Sequence, residues 1–193
     1  DGSGGFLQGE YLLWWMPGLR VPVLGTTNPD PSSDAFIGQA GTTPLLGPGE
    51  FIGPSRQGFR VRGGLWLNEC ATCGIDGSFF FLGKRTADAS FSSSQYEVIT
   101  RPIISPNIMP GFGVIGQTGQ AVTVPNVLAG GLSIHAESSL WGADVNLRHC
   151  LVSGCDWKLM GFIGYRYLNL SEELSVTENI VVTGLSPRIP AMD

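Results

Sequence analysis

Five stretches of this chain alternate between apolar and polar positions with a period of two, which is the signature of β-strands with two unlike faces. In "FLQGEYLLWWM" (6–16), Leu7, Gly9, Tyr11, Leu13 and Trp15 share one face, and Gln8, Glu10, Leu12 and Trp14 the other. "GFRVRGGLWLN" (58–68) sets Phe59, Val61, Gly63, Leu65 and Leu67 against Arg60, Arg62, Gly64 and Trp66. "GIDGSFFFLGK" (74–84) sets Ile75, Gly77, Phe79 and Phe81 against Asp76, Ser78, Phe80 and Leu82. "SLWGADVNLRH" (139–149) sets Trp141, Ala143, Val145 and Leu147 against Gly142, Asp144, Asn146 and Arg148. "WKLMGFIGYRYLNL" (157–170) sets Trp157, Leu159, Gly161, Ile163, Tyr165 and Tyr167 against Lys158, Met160, Phe162, Gly164 and Arg166. Helical periodicity is almost absent, so the pattern predicts an all-β chain.

The stretches are long. Ordinary strands peak at about 5–6 residues, whereas a tilted membrane-spanning strand needs about 9–11. The last one opens its apolar face with Trp157 and closes it with Tyr165 and Tyr167. Ten such residues tilted at about 40° rise about 25 Å, the height of the lipid-facing band between aromatic girdles. Tyr11, Trp15, Trp141, Trp157, Tyr165 and Tyr167 are the expected girdle residues. On the opposite face, Glu10, Arg60, Arg62, Asp76, Asp144, Arg148, Lys158 and Arg166 are then expected to line a watery lumen. Five of these are cations and three are anions, so the lumen tilts positive, and lumen charge tunes selectivity in such barrels. The same residues could equally pair across strands and plug the interior.

The connections point the same way. Two are short, of seven and eight residues, after 57–67 and after 139–148; two are long, at 17–56 and 85–130, and rich in Pro, Gly, Ser and Thr. Long structureless loops are unusual in compact domains. Antiparallel order puts both short turns on one side and both long loops on the other, as in outer-membrane barrels with short periplasmic turns and long extracellular loops. The expectation is an antiparallel up-and-down transmembrane β-barrel forming a single domain over 1–193, or the N-terminal part of one. Five strands, with a sixth at 173–183, fall short of the roughly eight that close a barrel. Further strands are then expected beyond the chain, in other copies, or inside the long loops, for example at 95–101 or 120–128.

The motifs "GEYLLWW" (9–15), "GGLWLNEC" (63–70), "GIDGSFFFLG" (74–83), "SSLWGADVNLR" (138–148) and "GFIGYRYLNLSEELSV" (161–176) together resemble the putative beta barrel porin-7 family of planctomycete bacteria. The resemblance implies an exported outer-membrane β-barrel, porin-like, and lends no substrate or reaction. Asp76 and Asp144 stand where the family pattern has Glu, and Cys73 departs from it.

Composition narrows the functions. Of 193 residues, 14% are charged and 28 are glycine, against roughly 25% charged and about 7% glycine in an average soluble domain. A low-charge secreted all-β surface or adhesion module would share that composition and is the competing reading. The net charge of −5 and the lack of any Lys/Arg run exclude nucleic acid as the expected partner. The expected partners are the lipid bilayer, small solutes in the lumen, and further copies or other envelope proteins. No stretch approaches 18 consecutive apolar residues. The start at "DGSGG" is what a processed export product would show, and a fragment would show it too.

Chemistry is sparsely signalled. "GxSxG" is absent, no phosphate-cradling GxGxxG stands between strand and helix, and the two histidines, His135 and His149, do not nominate a site. Neither an enzyme nor a cofactor is expected. The cysteines come in two tight pairs, Cys70/Cys73 and Cys150/Cys155. A redox CxxC normally opens a helix, but Cys73 leads into a strand. A Cys₄ zinc site is conceivable on spacing. An oxidising periplasm favours disulfides over zinc or free thiols, with pairing within each turn the simplest of three connectivities.

Overall fold

The computed structural model describes residues 4–104 and 117–184. Among them are eleven strands: β1 (Gly5–Trp15), β2 (Arg20–Val21), β3 (Gly25–Thr27), β4 (Thr43–Leu46), β5 (Gly49–Glu50), β6 (Ser55–Trp66), β7 (Cys73–Ser92), β8 (Ile99–Ile104), β9 (Gln117–Thr123), β10 (Leu128–Ser153) and β11 (Lys158–Val182). They form a five-stranded sheet in the order β1-β6-β7-β10-β11, a four-stranded sheet β4-β3-β8-β9 and the pair β2-β5. The described residues contain no helix.

The chain clusters into two compact units. The first comprises Asp1–Pro17, Gly53–Arg85 and Glu137–Glu172. Here the alternation seen in the sequence becomes register. β1 pairs antiparallel with β6, setting Gly9 opposite Val61, Glu10 opposite Arg60 and Tyr11 opposite Phe59. β6 pairs antiparallel with β7, setting Phe59 opposite Phe81, Val61 opposite Phe79 and Gly63 opposite Gly77. Odd positions thus meet odd positions, and a one-residue slip would put arginines into the apolar row. The β6–β7 turn is closed by Asn68, whose Oδ1 accepts from the amides of Thr72 (2.9 Å) and Cys73 (3.0 Å). Ala71 takes a left-handed conformation (φ 52°) inside that turn. Gly77 has a steric reason to be glycine: a Cβ there would lie 2.7 Å from the carbonyl oxygen of Asp144 on β10. The buried centre of this unit is Leu12, Leu82 and Leu140, with Trp14, Met16 and Phe80 packed against it.

The second unit comprises Gly18–Ile52, Thr86–Ala136 and Glu173–Asp193. Its core is Ile99, Val122, Leu132 and Ile134, flanked by Leu24, Leu45, Leu46, Phe51, Phe91, Tyr96 and Val176. Side chains satisfy the irregular backbone in this unit: Thr26 Oγ1 donates to Ala35 O at 2.7 Å, and Asn28 Nδ2 donates to Ala40 O at 2.9 Å.

The all-β, antiparallel expectation holds, and so does the shortfall of strands: among the described residues no sheet closes into a barrel, and β1 and β11 are the edges of an open sheet. Two parts of the expectation change. The segments 17–56 and 85–130, expected as long loops, carry β2 to β5, the end of β7, β8, β9 and the start of β10. Short strands such as Gly25–Thr27 are hidden by the prolines and glycines around them. Strands do lie where hidden ones were considered, β8 overlapping 95–101 and β9 overlapping 120–128. The sixth strand at 173–183 is not separate, because β11 runs unbroken from Lys158 to Val182.

No disulfide links Cys70, Cys73, Cys150 and Cys155 in this structure, where all four are free. The turn that carries Cys70 is tied by Asn68 hydrogen bonds, and the later one by Gly154 N donating to Trp157 O at 2.8 Å. Each turn therefore closes without a covalent link. The two turns are neighbours, since Cys150 N donates to Thr72 O at 2.7 Å. Among the described residues no group of three or more His, Cys, Asp or Glu side chains is placed to hold a metal ion.

Candidate functional site

The five-stranded sheet of the first unit has two faces of opposite chemistry. One carries Leu7 and Tyr11 from β1, Phe59, Val61 and Leu65 from β6, and Phe79 and Phe81 from β7, all exposed. Val145 and Leu147 of β10 and Leu159, Ile163 and Tyr165 of β11 are exposed likewise. Exposure is high, at 70% for Tyr11 and 75% for Ile163. Soluble monomers seldom leave a contiguous apolar patch of more than a few hundred Å² in water.

This face ends in a line of aromatic rings. Phe59 contacts Phe79 and Phe81 at centroid distances of 6.2 and 6.1 Å. Phe79 contacts Trp141 at 6.1 Å, and Trp141 contacts Tyr167 at 5.2 Å. With Tyr11 opposite Phe59 in register, one aromatic row crosses all five strands. Beyond it the side chains turn polar on β10 and β11, where Ser139 and Glu137 follow Trp141 and Asn169 and Ser171 follow Tyr167, while β1 continues with Leu13 and Trp15. Lys84 Nζ meets Glu137 Oε1 at 2.6 Å.

Of the expected girdle residues, Tyr11, Trp141 and Tyr167 stand in this row. Tyr165 lies two residues inside it and Trp15 four residues past Tyr11, both about 70% exposed (69% and 70%). Trp157 marks the other end of β11, packed over Gly154 in the turn. Phe59, Phe79 and Phe81 were not among the expected girdle residues, although their positions on the same alternating face as Val61 and Ile75 carried the signal.

The opposite face is an ionic belt. Arg60 Nε donates to Glu10 Oε2 at 2.8 Å and its Nη2 contacts the same oxygen, while Arg62 approaches Glu10 Oε1 at 4.0 Å. Arg148 Nε lies 2.8 Å from Asp76 Oδ2, off the line of a hydrogen bond, so this contact is an ion pair. The same guanidinium lies 4.9 Å from the ring centre of Trp66 and 5.9 Å from that of Phe6. Arg166 Nη2 stands 3.7 Å from Asp144 Oδ2. Ser78 Oγ donates to Asp144 at 2.5 Å, and Asn146 Nδ2 donates to both Asp76 and Asp144 at 3.0 Å. The belt surrounds a polar recess of about 210 Å³.

Seven of the eight expected lumen residues are therefore brought together. Lys158 is not: it opens β11, and no ion pair reaches it among the described residues. Ser78, Asn146, Phe6 and Trp66 complete the belt without having been singled out. Ser78 and Asn146 sit two residues from Asp76 and Asp144, so the same alternation placed them.

Next to the belt on this face lies the apolar layer of Leu12, Trp14, Phe80, Leu82 and Leu140. Phe80 and Leu168 close over Gly142. Arg56 is buried beside it, its Nη1 and Nη2 donating to Ser138 O (3.1 Å) and Ser138 Oγ (2.6 Å). In the second unit, His135 Nδ1 lies 2.7 Å from Asp88 Oδ1, at an exposed position.

The sequence model of the family described as Putative beta barrel porin-7 matches residues 6–191. No curated protein and no solved structure matches the chain.

Proposed function

The chain belongs to the Putative beta barrel porin-7 family, and on that premise we propose that its five-stranded sheet is part of an outer-membrane β-barrel. The apolar face meets lipid, the ionic belt faces a water-filled lumen, and small solutes pass through it passively. The observation that carries this reading is the aromatic row Tyr11–Phe59–Phe79/Phe81–Trp141–Tyr167, with apolar side chains on one side and, along β10 and β11, polar ones on the other. Aromatic rings collect at that boundary because one part of the ring prefers hydrocarbon and the other water. In this reading the turns at 67–72 and 154–157 face the periplasm.

The open edges β1 and β11 set a further requirement. Unpaired edge amides cost several kcal/mol each in lipid, so additional strands must pair with them to complete the barrel. The reading involves no catalytic step: passive passage needs only the lumen and its charges. If the full-length protein is native to the outer membrane, alkaline carbonate will leave it in the membrane pellet and detergent will release it. Release by carbonate or salt alone would refute the reading and favour a secreted surface module.

A further inference from the structure

The ion pairs of the belt are unequal. Arg60 is committed to Glu10 by two contacts to one oxygen, and Arg148 is fixed by Asp76 and two aromatic rings. Arg62 and Arg166 are held loosely, at 4.0 and 3.7 Å, by carboxylates that already have closer partners. Glu10 is taken up by Arg60, and Asp144 accepts from Ser78 and Asn146.

Exposure follows the same division. The side chains of Glu10, Asp76 and Asp144 are 21%, 19% and 14% exposed, against 48% for Arg62 and 69% for Arg166. The carboxylates lie low and hydrogen-bonded, while two guanidiniums stand over the recess they line with Asn146 and Ser78. Four arginines against three carboxylates leave the belt at +1, and geometry puts that charge at the recess mouth. A guanidinium fork suits the paired oxygens of an oxyanion, and its weak hydration lowers the cost of contact.

We propose that Arg62 and Arg166 form a binding site for a small oxyanion, and that this site makes passage through the barrel anion-selective. The selectivity half rests on the reading of this face as a lumen; the site itself does not. Asn146 and Ser78 give their donors to Asp76 and Asp144 and so hold these carboxylates low, and Asp144 keeps Arg166 turned toward the recess without neutralising it.

The test uses the full-length protein purified in detergent, and sodium sulfate as the probe. Calorimetry should show saturable sulfate binding, weakened at least about tenfold in the Arg62→Gln/Arg166→Gln double variant and intermediate in the Lys/Lys variant, which keeps charge but loses the fork. The thermal unfolding midpoint of each variant establishes that it is folded. An absence of saturable binding in the native protein, or equal binding in the Gln/Gln variant, overturns the site. In planar bilayers under a KCl gradient, the native channel should prefer chloride by about threefold or more, and the Gln/Gln channel should approach unity. Open channels without anion preference overturn the selectivity claim. A complete lack of channels overturns the lumen reading instead, and sulfate binding then decides the site alone.

Discussion

Arg56 is a buried guanidinium whose hydrogen bonds go to a serine rather than a carboxylate. A charge so placed depends heavily on each acceptor, because hydrogen bonds to charged groups contribute about 1.5–3 kcal/mol. Ser138→Ala removes the hydroxyl and leaves the carbonyl, so equilibrium unfolding should show a loss of about 1.5–3 kcal/mol. Glu10→Gln should act differently. It frees Arg60 and Arg62 together, raising the belt charge by one and strengthening anion preference in single-channel reversal potentials, at a stability cost of about 1–3 kcal/mol. At this scale the charged members of the belt were legible, because alternation alone assigns Glu10, Arg60, Arg62, Asp76, Asp144, Arg148 and Arg166 to one face. Their pairing was not legible. Alternation gives the face of a residue but not its depth, and depth separates the low carboxylates from the raised Arg62 and Arg166. Spacing marked the cysteine-bearing turns correctly, but Asn68 was not read as the residue that closes the first one.

Among the strands, the aromatic row ties β6, β7, β10 and β11 across their exposed face. A double-mutant cycle on Trp141→Ala and Tyr167→Ala should give a coupling of about 0.5–1.5 kcal/mol, the range for aromatic pairs in direct contact. The approach of β7 to β10 at Gly77 is tighter still. Gly77→Val would drive side-chain atoms into the Asp144 carbonyl, part the strands and disturb the Asp144–Ser78 and Asp144–Asn146 contacts. Reduced folding yield and a lower unfolding midpoint than the native protein are the expected outcomes. β11 is an edge strand that exposes apolar side chains on both faces at 162–163, with Phe162 at 80% beside Ile163 at 75%. That is a strand prepared for a partner beyond it. The long strands were readable because each presents two unlike faces over ten residues. β2 to β5 were not, because two- to four-residue strands are too short to show a period among prolines and glycines.

For the molecule as a whole, the sequence pattern carried the fold class and the order of the long strands, and the strand count already fell short of closure. Whether a sheet closes depends on what meets its edges, and periodicity within a strand says nothing about that. The central claim is that one face of this sheet is solvated by lipid and the other by water. It is tested most directly by nitroxide scanning of residues 57–65 on β6, one site at a time, in a variant with the four native cysteines replaced by serine and reconstituted in vesicles. Lipid-soluble oxygen should broaden the signal most at Phe59→Cys, Val61→Cys and Leu65→Cys, and a water-soluble nickel chelate most at Arg60→Cys and Arg62→Cys, in a regular alternation. If the chelate reaches Phe59→Cys and Val61→Cys as readily as Arg60→Cys and Arg62→Cys, that face is in water and the barrel account is contradicted.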